Sequence, residues 1–183
     1  APMQGYGARH RATVVQLVFQ DPYSSLNPRR TVGSAIAEPL WVHRRHPTHQ
    51  ACQEAAQALL QAVGLPPDAY ARYPHLFSGG QRQRLVIARA LALGPQVLVC
   101  DEAVAALDVS VQAQVLNLLL QLRASHGLSL LFISHDLAVV HYLCDRILIL
   151  EEGQVAEVAS PQALVQHPQS AIAQRFVQAS GLR

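Results

Sequence analysis

Residues 76–108 read LFSGGQRQRLVIARALALGPQVLVCDEAVAALD. Three features able to do chemistry stand there in order: a Ser-Gly-Gly-Gln turn, an arginine-bearing helix, and an acidic pair after an apolar run. Asp101-Glu102 follows QVLVC, residues 96–100, whose unbroken apolar character predicts a strand buried on both faces. In open α/β sheets, ligands collect beyond the carboxyl ends of the strands. A carboxylate there can hold Mg2+, and its neighbour can orient and deprotonate a water. By itself the pair is a weak signal that better suits a solvated strand end or a helix N-cap. Ser78-Gly79-Gly80-Gln81 opens a helix, where first-turn N–H groups and the dipole attract phosphate. Its glycines let a ligand approach the backbone closely. By itself, this too is an ordinary capped turn. His135 ends the run LLFIS, where an imidazole can hydrogen-bond a terminal phosphate. Gln20 ends TVVQLVF in the same way, although strand-end amides usually make only loop contacts. The ordered series of all these features is far more specific than any member.

The elements that must carry these residues are legible in outline. TVVQLVF, residues 13–19, is β-branched and short, and predicts a strand. QDPYSSLNPRR, residues 20–30, reads as a loop, and a short helix is expected near Val32 to Pro39. Cys52, Ala55, Ala56, Leu59, Leu60 and Val63 follow helical spacing, and Gly64 closes that helix. Residues 65–74 read as a loop. Ser78 then opens a helix with Gln81 in the capping-box position, and Gly94-Pro95 stops it. A further helix spans 110–124, with Ser110 as its cap and Val111, Val115, Leu118, Leu119 and Leu122 along one face. LSLLFI, residues 128–133, predicts another buried strand, and a short helix follows over 136–143. RILIL and QVAEV flank Glu151-Glu152-Gly153 as a hairpin. Ser160-Pro161 opens a helix, and a last one follows Pro168. Strand, helix and strand alternating over 96–150 imply a parallel sheet with helices packed on it.

Composition narrows the function. Half of the 183 residues are hydrophobic, so a sizeable core can be buried. A net charge of +2 argues against a dedicated nucleic-acid binder. All 14 basic residues are arginine. Cys52, Cys100 and Cys144 lack metal-ligand spacing, and a reduced, cytosolic setting suits them. The longest apolar candidate, residues 85–100, is interrupted by Arg89, Gly94 and Pro95, so no membrane span is expected. APMQGYGARHR is not followed by a long apolar stretch and does not read as a signal peptide; it reads as a segment entered in mid-domain.

Over residues 13–160 the series resembles the nucleotide-binding subunit of ATP-binding cassette (ABC) transporters. LFSGGQRQR is similar to that family's signature motif, LVCDE to its Walker B strand and catalytic glutamate, AALD to its D-loop, and ISHD to its switch-histidine loop. VFQDPYSSLNP resembles its Q-loop; this segment and DEAV…LDVSVQAQVLNLL are similar to the dipeptide and oligopeptide importer branch. The resemblance implies an α/β fold: a partial P-loop NTPase of ABC ATPase type, with a mostly parallel sheet flanked by helices and a helical subdomain. It implies a core remnant over 1–20 ending in the Q-loop strand and a helical subdomain with the signature over 21–93. The C-terminal part of the ATPase core then covers 94–160, and a helical tail covers 161–183. By the same resemblance Asp101 assists Mg2+ binding, Glu102 polarises the attacking water, and His135 contacts the γ-phosphate. Gln20 senses Mg2+ and γ-phosphate and couples to membrane subunits through the helical block. Ser78, Gly79 and Gly80 face ATP held by a second ATP-binding subunit, Gln81 supports their turn, and Asp108 organises the dimer interface. The implied partners are that second subunit, transmembrane permease subunits and, indirectly, an extracytoplasmic solute-binding protein. The implied place is the cytoplasmic face of the membrane, as a peripheral subunit, with ATP and Mg2+ as cofactors and peptide uptake as the process. Three departures stand out: Ala105 where serine is common, Leu76 where this branch often has glutamate, and QHPQSAIAQRFVQ, which only loosely follows the branch's tail. A repair or chromosome-maintenance ATPase would split the motifs with a long coiled coil, and no sustained heptads separate Gln20 from Ser78.

One expected part is missing. A P-loop reads G-x-x-x-x-G-K-[ST], and its lysine reaches the β- and γ-phosphates. This chain contains no lysine, and no glycine spacing in it restores the motif. Two readings follow. The chain is the C-terminal portion of a truncated nucleotide-binding domain, or it is a catalytically silent or regulatory subunit that offers only its signature to a partner ATPase. Retention of the DE and SH motifs, which serve the P-loop's own site, favours the first. Titrated with a fluorescent ATP analogue, the 183-residue polypeptide is expected to bind weakly or not at all. Micromolar, Mg2+-dependent affinity overturns that expectation.

Overall fold

Strand β1 (Val15–Val18) pairs in parallel with β2 (Val97–Asp101), in the register Val15↔Val97 through Val18↔Cys100. A parallel pair cannot be closed by a tight turn, so everything between the two strands is crossover. The computed structural model describes residues 13–182, so the first twelve residues of the expected N-terminal remnant lie outside the described residues, as does Arg183. The described chain divides into two units, one running to Leu131 and the other starting at Phe132.

The first unit's crossover is helical. It contains α1 (Pro22–Ser25), α2 (Val32–Val42), α3 (His49–Ala62) and α4 (Gly79–Leu91), followed after β2 by α5 (Val109–His126). Helix α1 lies where a plain loop was expected. Asp21 starts it by accepting from Tyr23 N at 2.8 Å, with Pro22 in the first turn. Residues 65–74 are also more ordered than a loop, with a 3-10 turn at Pro67–Ala71 and another at Pro74–Leu76. Proline at the start of each turn presets φ and removes a donor that has no partner there. Thr31 and Thr48 cap α2 and α3 through their hydroxyls. Cys52, Ala56 and Leu60 form the buried stripe of α3, as the spacing predicts. Helix α4 is the hub: it packs on α1, α2, α3, α5 and β1 and buries Leu85, Val86, Ile87, Ala88, Ala90 and Leu91. Burying each large aliphatic side chain contributes about 1.5–3 kcal/mol.

The sheet order is β1-β2-β3, with β3 at Ser129–Ile133. Val18, Leu98 and Cys100 are fully buried on one face of β1 and β2. Burial pushes the Cys100 thiol up to about 12, so it acts as a small hydrophobe. The opposite face is only half-buried at Val97 and Val99, so β2 is not enclosed equally on both sides. The expectation of a buried β3 is corrected more strongly, since Leu131 is 55% and Ile133 48% exposed. This strand is at the sheet edge among the described residues, and alternate side chains face outward. A continuous apolar run signals burial only when both faces are covered.

The second unit contains α6 (Leu137–Leu143), β4 (Ile147–Glu151), β5 (Gln154–Ala159), α7 (Pro161–Gln166) and α8 (Ala171–Ser180). The hairpin β4–β5 is antiparallel, with an irregularity between Ile149 and Leu150. Its core joins Leu137, Ile147, Ile149, Leu164 and Ala173. Among the described residues no helix is long and apolar enough to cross a membrane.

Glu157 on β5 ties the last helix to the hairpin. Its carboxylate accepts from Ser170 N and Ser170 Oγ, each at 2.8 Å, and from Gln169 N at 3.1 Å. Desolvation pushes this carboxyl upward, but the bonds from Ser170 N, Gln169 N and Ser170 Oγ outweigh it and hold the carboxyl below its usual range. A carboxylate with a lowered folded pKa stabilises the fold above its unfolded value, about 4.3, and the contribution is lost as pH falls through the folded value. The melting temperature of the native chain is therefore expected to exceed that of Glu157→Gln near neutral pH, with the gap narrowing once pH drops below about 4. Thermal scans across pH check this; a gap independent of pH rejects it.

Candidate nucleotide site

The β1–β2 register ends at Val18↔Cys100, so Gln20 and Glu102 each stand two residues beyond a paired position at the same sheet edge. Asp101, the last residue of β2, is half-buried beside them in sequence. Gln20 is exposed. Glu102 has φ +47°, a left-handed conformation that costs a side-chain-bearing residue about 1–3 kcal/mol. The following turn holds it there. Ala103 and Val104, each 2% exposed, are sunk into the core. Ala105 N donates to Glu102 O at 3.0 Å and Leu107 N to Val104 O at 3.2 Å. A strained acidic residue directly after a buried strand supports a functional role. The described residues contain no cluster of three or more His, Cys, Asp or Glu able to hold a metal. A single carboxylate such as Asp101 fits a cation that keeps most of its waters and binds largely through phosphate, as Mg2+ does.

The Ser78 turn is a complete capping box. Ser78 Oγ accepts from Gln81 N at 3.3 Å, and Gln81 Oε1 accepts from Ser78 N at 3.0 Å. The two glycines do different work. A Cβ on Gly80 would lie 2.1 Å from Val111 Cγ1, so Gly80 lets α4 press on α5. A Cβ on Gly79 would meet only Leu107 Cδ2, at 3.7 Å, which leaves this backbone open to a ligand. The N–H groups of a helix's first turn have no intrahelical acceptor and so remain able to bind an anion.

Asp108, not Ser110, caps α5, and the helix therefore begins at Val109. Asp108 Oδ1 accepts from Val111 N at 3.0 Å, and the Ser110 hydroxyl, two residues into the helix, donates to the same oxygen at 2.8 Å. An aspartate that accepts both bonds leaves serine no capping role. The bond from Val111 N, with that from Ser110, holds the Asp108 carboxyl below its ordinary range. The structure thus joins two groups of the expected residues in the first unit: Gln20, Asp101 and Glu102 at one sheet edge, and Ser78, Gly79, Gly80 and Gln81 against the start of the Asp108-capped helix. His135 lies in the second unit, exposed, two residues past β3 and just before Asp136, which caps α6 by accepting from Ala138 N at 2.8 Å.

Sequence reasoning missed the arginines of α4. Arg84 donates to Val63 O at 3.3 Å and Gln114 Oε1 at 3.1 Å, and Arg89 donates to Ser25 O at 2.8 Å. Arg82 is buried, bonded to Pro74 O and His75 O, and covered by the Tyr23 ring. The RQR spacing looks like a solvated face, and only the missing lysines hint that guanidinium geometry is in use. Beside α1 lies a cavity of about 380 Å3, lined by Tyr23, Asn27, Arg30, Glu38 and Arg89 among others. Arg30 pairs with Glu38 there, and Arg89 lies 3.9 Å from the same carboxylate.

The parallel sheet, the strand-end amide and carboxylates, and the glycine-headed helix together define the fold of an ATP-binding cassette domain. The chain belongs to the ABC transporter family, which it matches over residues 1–105. It is 48% identical over 177 residues to the glutathione import ATP-binding protein GsiA of Pectobacterium atrosepticum, covering 97% of this chain and 28% of that protein. It is 52% identical over 154 residues to the putative oligopeptide transport ATP-binding protein YkfD of Bacillus subtilis, covering 84% of this chain and 47% of that one. The chain thus spans less than half the length of these relatives, neither of which is named as a regulatory subunit. Among solved structures it is similar to the dimeric, post-hydrolysis ATP-binding cassette MJ0796 bound to ADP and Pi. That likeness has a TM-score of 0.71 and 28% identity, and covers 84% of this chain and 65% of that one. It shares a fold with cbiO1 from Clostridium perfringens, part of the transporter complex cbiONQ, with a TM-score of 0.76 and 24% identity over 96% of this chain and 65% of that one.

The unequal glycines make a direct comparison possible. Gly80→Ala is expected to destabilise the chain by about 1–3 kcal/mol through overpacking on Val111, and Gly79→Ala by much less. Adding Val111→Ala to Gly80→Ala restores room and recovers part of the loss. Urea unfolding of the three variants checks this, and equal losses for the two glycine variants count against it.

Proposed function

We propose that the chain is part of the ATP-binding and ATP-hydrolysing subunit of an importer for peptides or glutathione-like thiol peptides. The observation that carries this reading is the parallel register that sets Gln20 and Glu102 at one sheet edge, in a chain belonging to the ABC family. The solute class follows the names of its relatives, one for glutathione import and one for oligopeptide transport. MgATP, when bound, supplies the phosphoryl group whose transfer to water drives transport.

In this reading each residue has a limited task. Asp101 helps bind Mg2+ through its half-buried carboxylate. Glu102 takes a proton from the attacking water, and its strained backbone fixes the direction of approach. Gln20 hydrogen-bonds the water or cation shell at the same edge. His135 donates to the γ-phosphate. The backbone around Ser78, Gly79 and Gly80, held by Gln81, meets the phosphate carried by a second ATP-binding subunit, and Asp108 orders the turn that faces that subunit. Such a site works mainly by positioning and charge stabilisation. The lysine that would reach the β- and γ-phosphates must come from outside these 183 residues.

The permease subunits dock in the cavity beside α1, where Arg30, Glu38 and Arg89 offer a polar, charged seat. An extracytoplasmic solute-binding protein then acts through the permease, and the chain is peripheral on the cytoplasmic face. The decisive test is Glu102→Gln in the chain fused behind a family member's phosphate-loop segment, which supplies the lysine of the site that Glu102 serves. ATP turnover is expected to fall by at least about 100-fold, the ordinary loss on removing a general base. Unchanged turnover rejects Glu102 as the base.

A further inference from the structure

We infer that Tyr23 and Arg82 form a latch through which the cavity beside α1 controls the Ser78 turn. The inference rests on the reading of that turn as the ligand-facing signature; the latch itself stands on geometry. Arg82 is only 8% exposed. Helical side chains lean toward the N-terminus, and Arg82 turns back past the start of α4. Its Nε donates to Pro74 O at 2.9 Å, and a terminal guanidinium nitrogen donates to His75 O at 3.2 Å. Those carbonyls belong to the 3-10 turn that leads into Ser78. One planar cation thereby fixes the approach to the signature from inside its own helix. A face of that cation is covered by the Tyr23 ring, 4.1 Å from ring centroid to guanidinium carbon.

Tyr23 belongs to a different element. It is in α1, three residues past Gln20, and its backbone is held by Asp21. The residue is 65% exposed and lines the cavity. An aromatic lid keeps water from the guanidinium, and a drier guanidinium grips its carbonyls more tightly. Anything seated in the cavity meets the tyrosine and so biases the ring toward or away from Arg82. A chain of direct contacts then runs from the cavity to Tyr23, to Arg82, to residues 74–75 and to Ser78. Arg82 is a positioning residue here, and Tyr23 is its lid.

Tyr23 can be changed without opening the core. Hydrogen exchange in the chain itself, without nucleotide or partner, reads the latch at three amides. These are Leu76 N, bonded to Tyr73 O; Phe77 N, bonded to Pro74 O; and Ser78 N, bonded to Gln81 Oε1. Tyr23→Leu is expected to speed exchange at these amides roughly two- to fivefold, the equivalent of one partly exposed cation–π contact. Amides of α5 around Val115 and Leu119 should be unchanged, and Tyr23→Phe, which keeps the ring, should match the native chain throughout. Unchanged exchange at residues 76–78 in Tyr23→Leu overturns the latch. So does an equal acceleration in α5, or a Tyr23→Phe variant that behaves like Tyr23→Leu. Arg82→Lys, if it folds, should loosen the same three amides. The Tyr23 pair decides the matter without it. Since no nucleotide enters the measurement, failure here removes the latch and leaves the transport reading to its own test.

Discussion

The parallel pairing of β1 with β2 is the constraint on which the rest depends. Antiparallel strands could have been joined by two residues, whereas a parallel pair forces a crossover. Here the crossover is the whole helical block from α1 to α4. That block must pack back on the sheet, and α4 does so by touching β1 and four other helices. The pairing also fixes where chemistry can occur, since both strands deliver their carboxyl ends to one edge. Slipping β1 by one residue would turn Val18 out of the core and move Gln20 relative to Glu102. Core and site therefore share one register.

Much of this was legible because local rules and tertiary packing agree. The capping box at Ser78 and Gln81 is both a sequence pattern and an observed pair of bonds. The stripe of α3 follows from periodicity alone, whereas the unbroken apolar run of β2 marked a strand but not which of its faces is the buried one. The sequence was less informative where a residue's environment depends on distant parts. LSLLFI is about as apolar as QVLVC, but among the described residues β3 lies at an edge and β2 in the middle. Asp108 and Ser110 are both good caps, and the choice between them rests on which one faces the first turn's N–H groups. In the site, residue types at strand ends could be read directly. The division of labour between Gly79 and Gly80 could not, because it depends on Val111, thirty-one residues from Gly80.

The arginines show a second kind of hidden information. A chain with 14 basic residues, all arginine, has only planar, multiply donating cations to use. Arg82 donates in two directions to adjacent carbonyls while presenting a face to Tyr23. An ammonium could bond the carbonyls but offers no flat surface for a ring to cover. Arg84 and Arg89 likewise bridge elements rather than project into solvent, and Arg45 donates to Leu93 O at 2.8 Å. Their bonds mostly end on backbone carbonyls, which carry no sequence signature. That is why a helix that looks polar on one side is a structural hub.

Strain at Glu102 completes the picture. A left-handed residue with a full side chain persists only when its surroundings over-determine it. Ala103 and Val104 do this by anchoring the chain immediately after the turn, while Asp108 fixes the far end by starting α5. A relaxed Glu102 would swing its carboxylate with the backbone, and the general-base role proposed for it needs a fixed alignment with its water. The buried, chemically inert pair after the acid is thus as much a part of the site as the acid itself. The same stretch brings Leu107 against Gly79 and Val111 against Gly80. Packing behind Glu102 is thus continuous with the packing under the Ser78 turn.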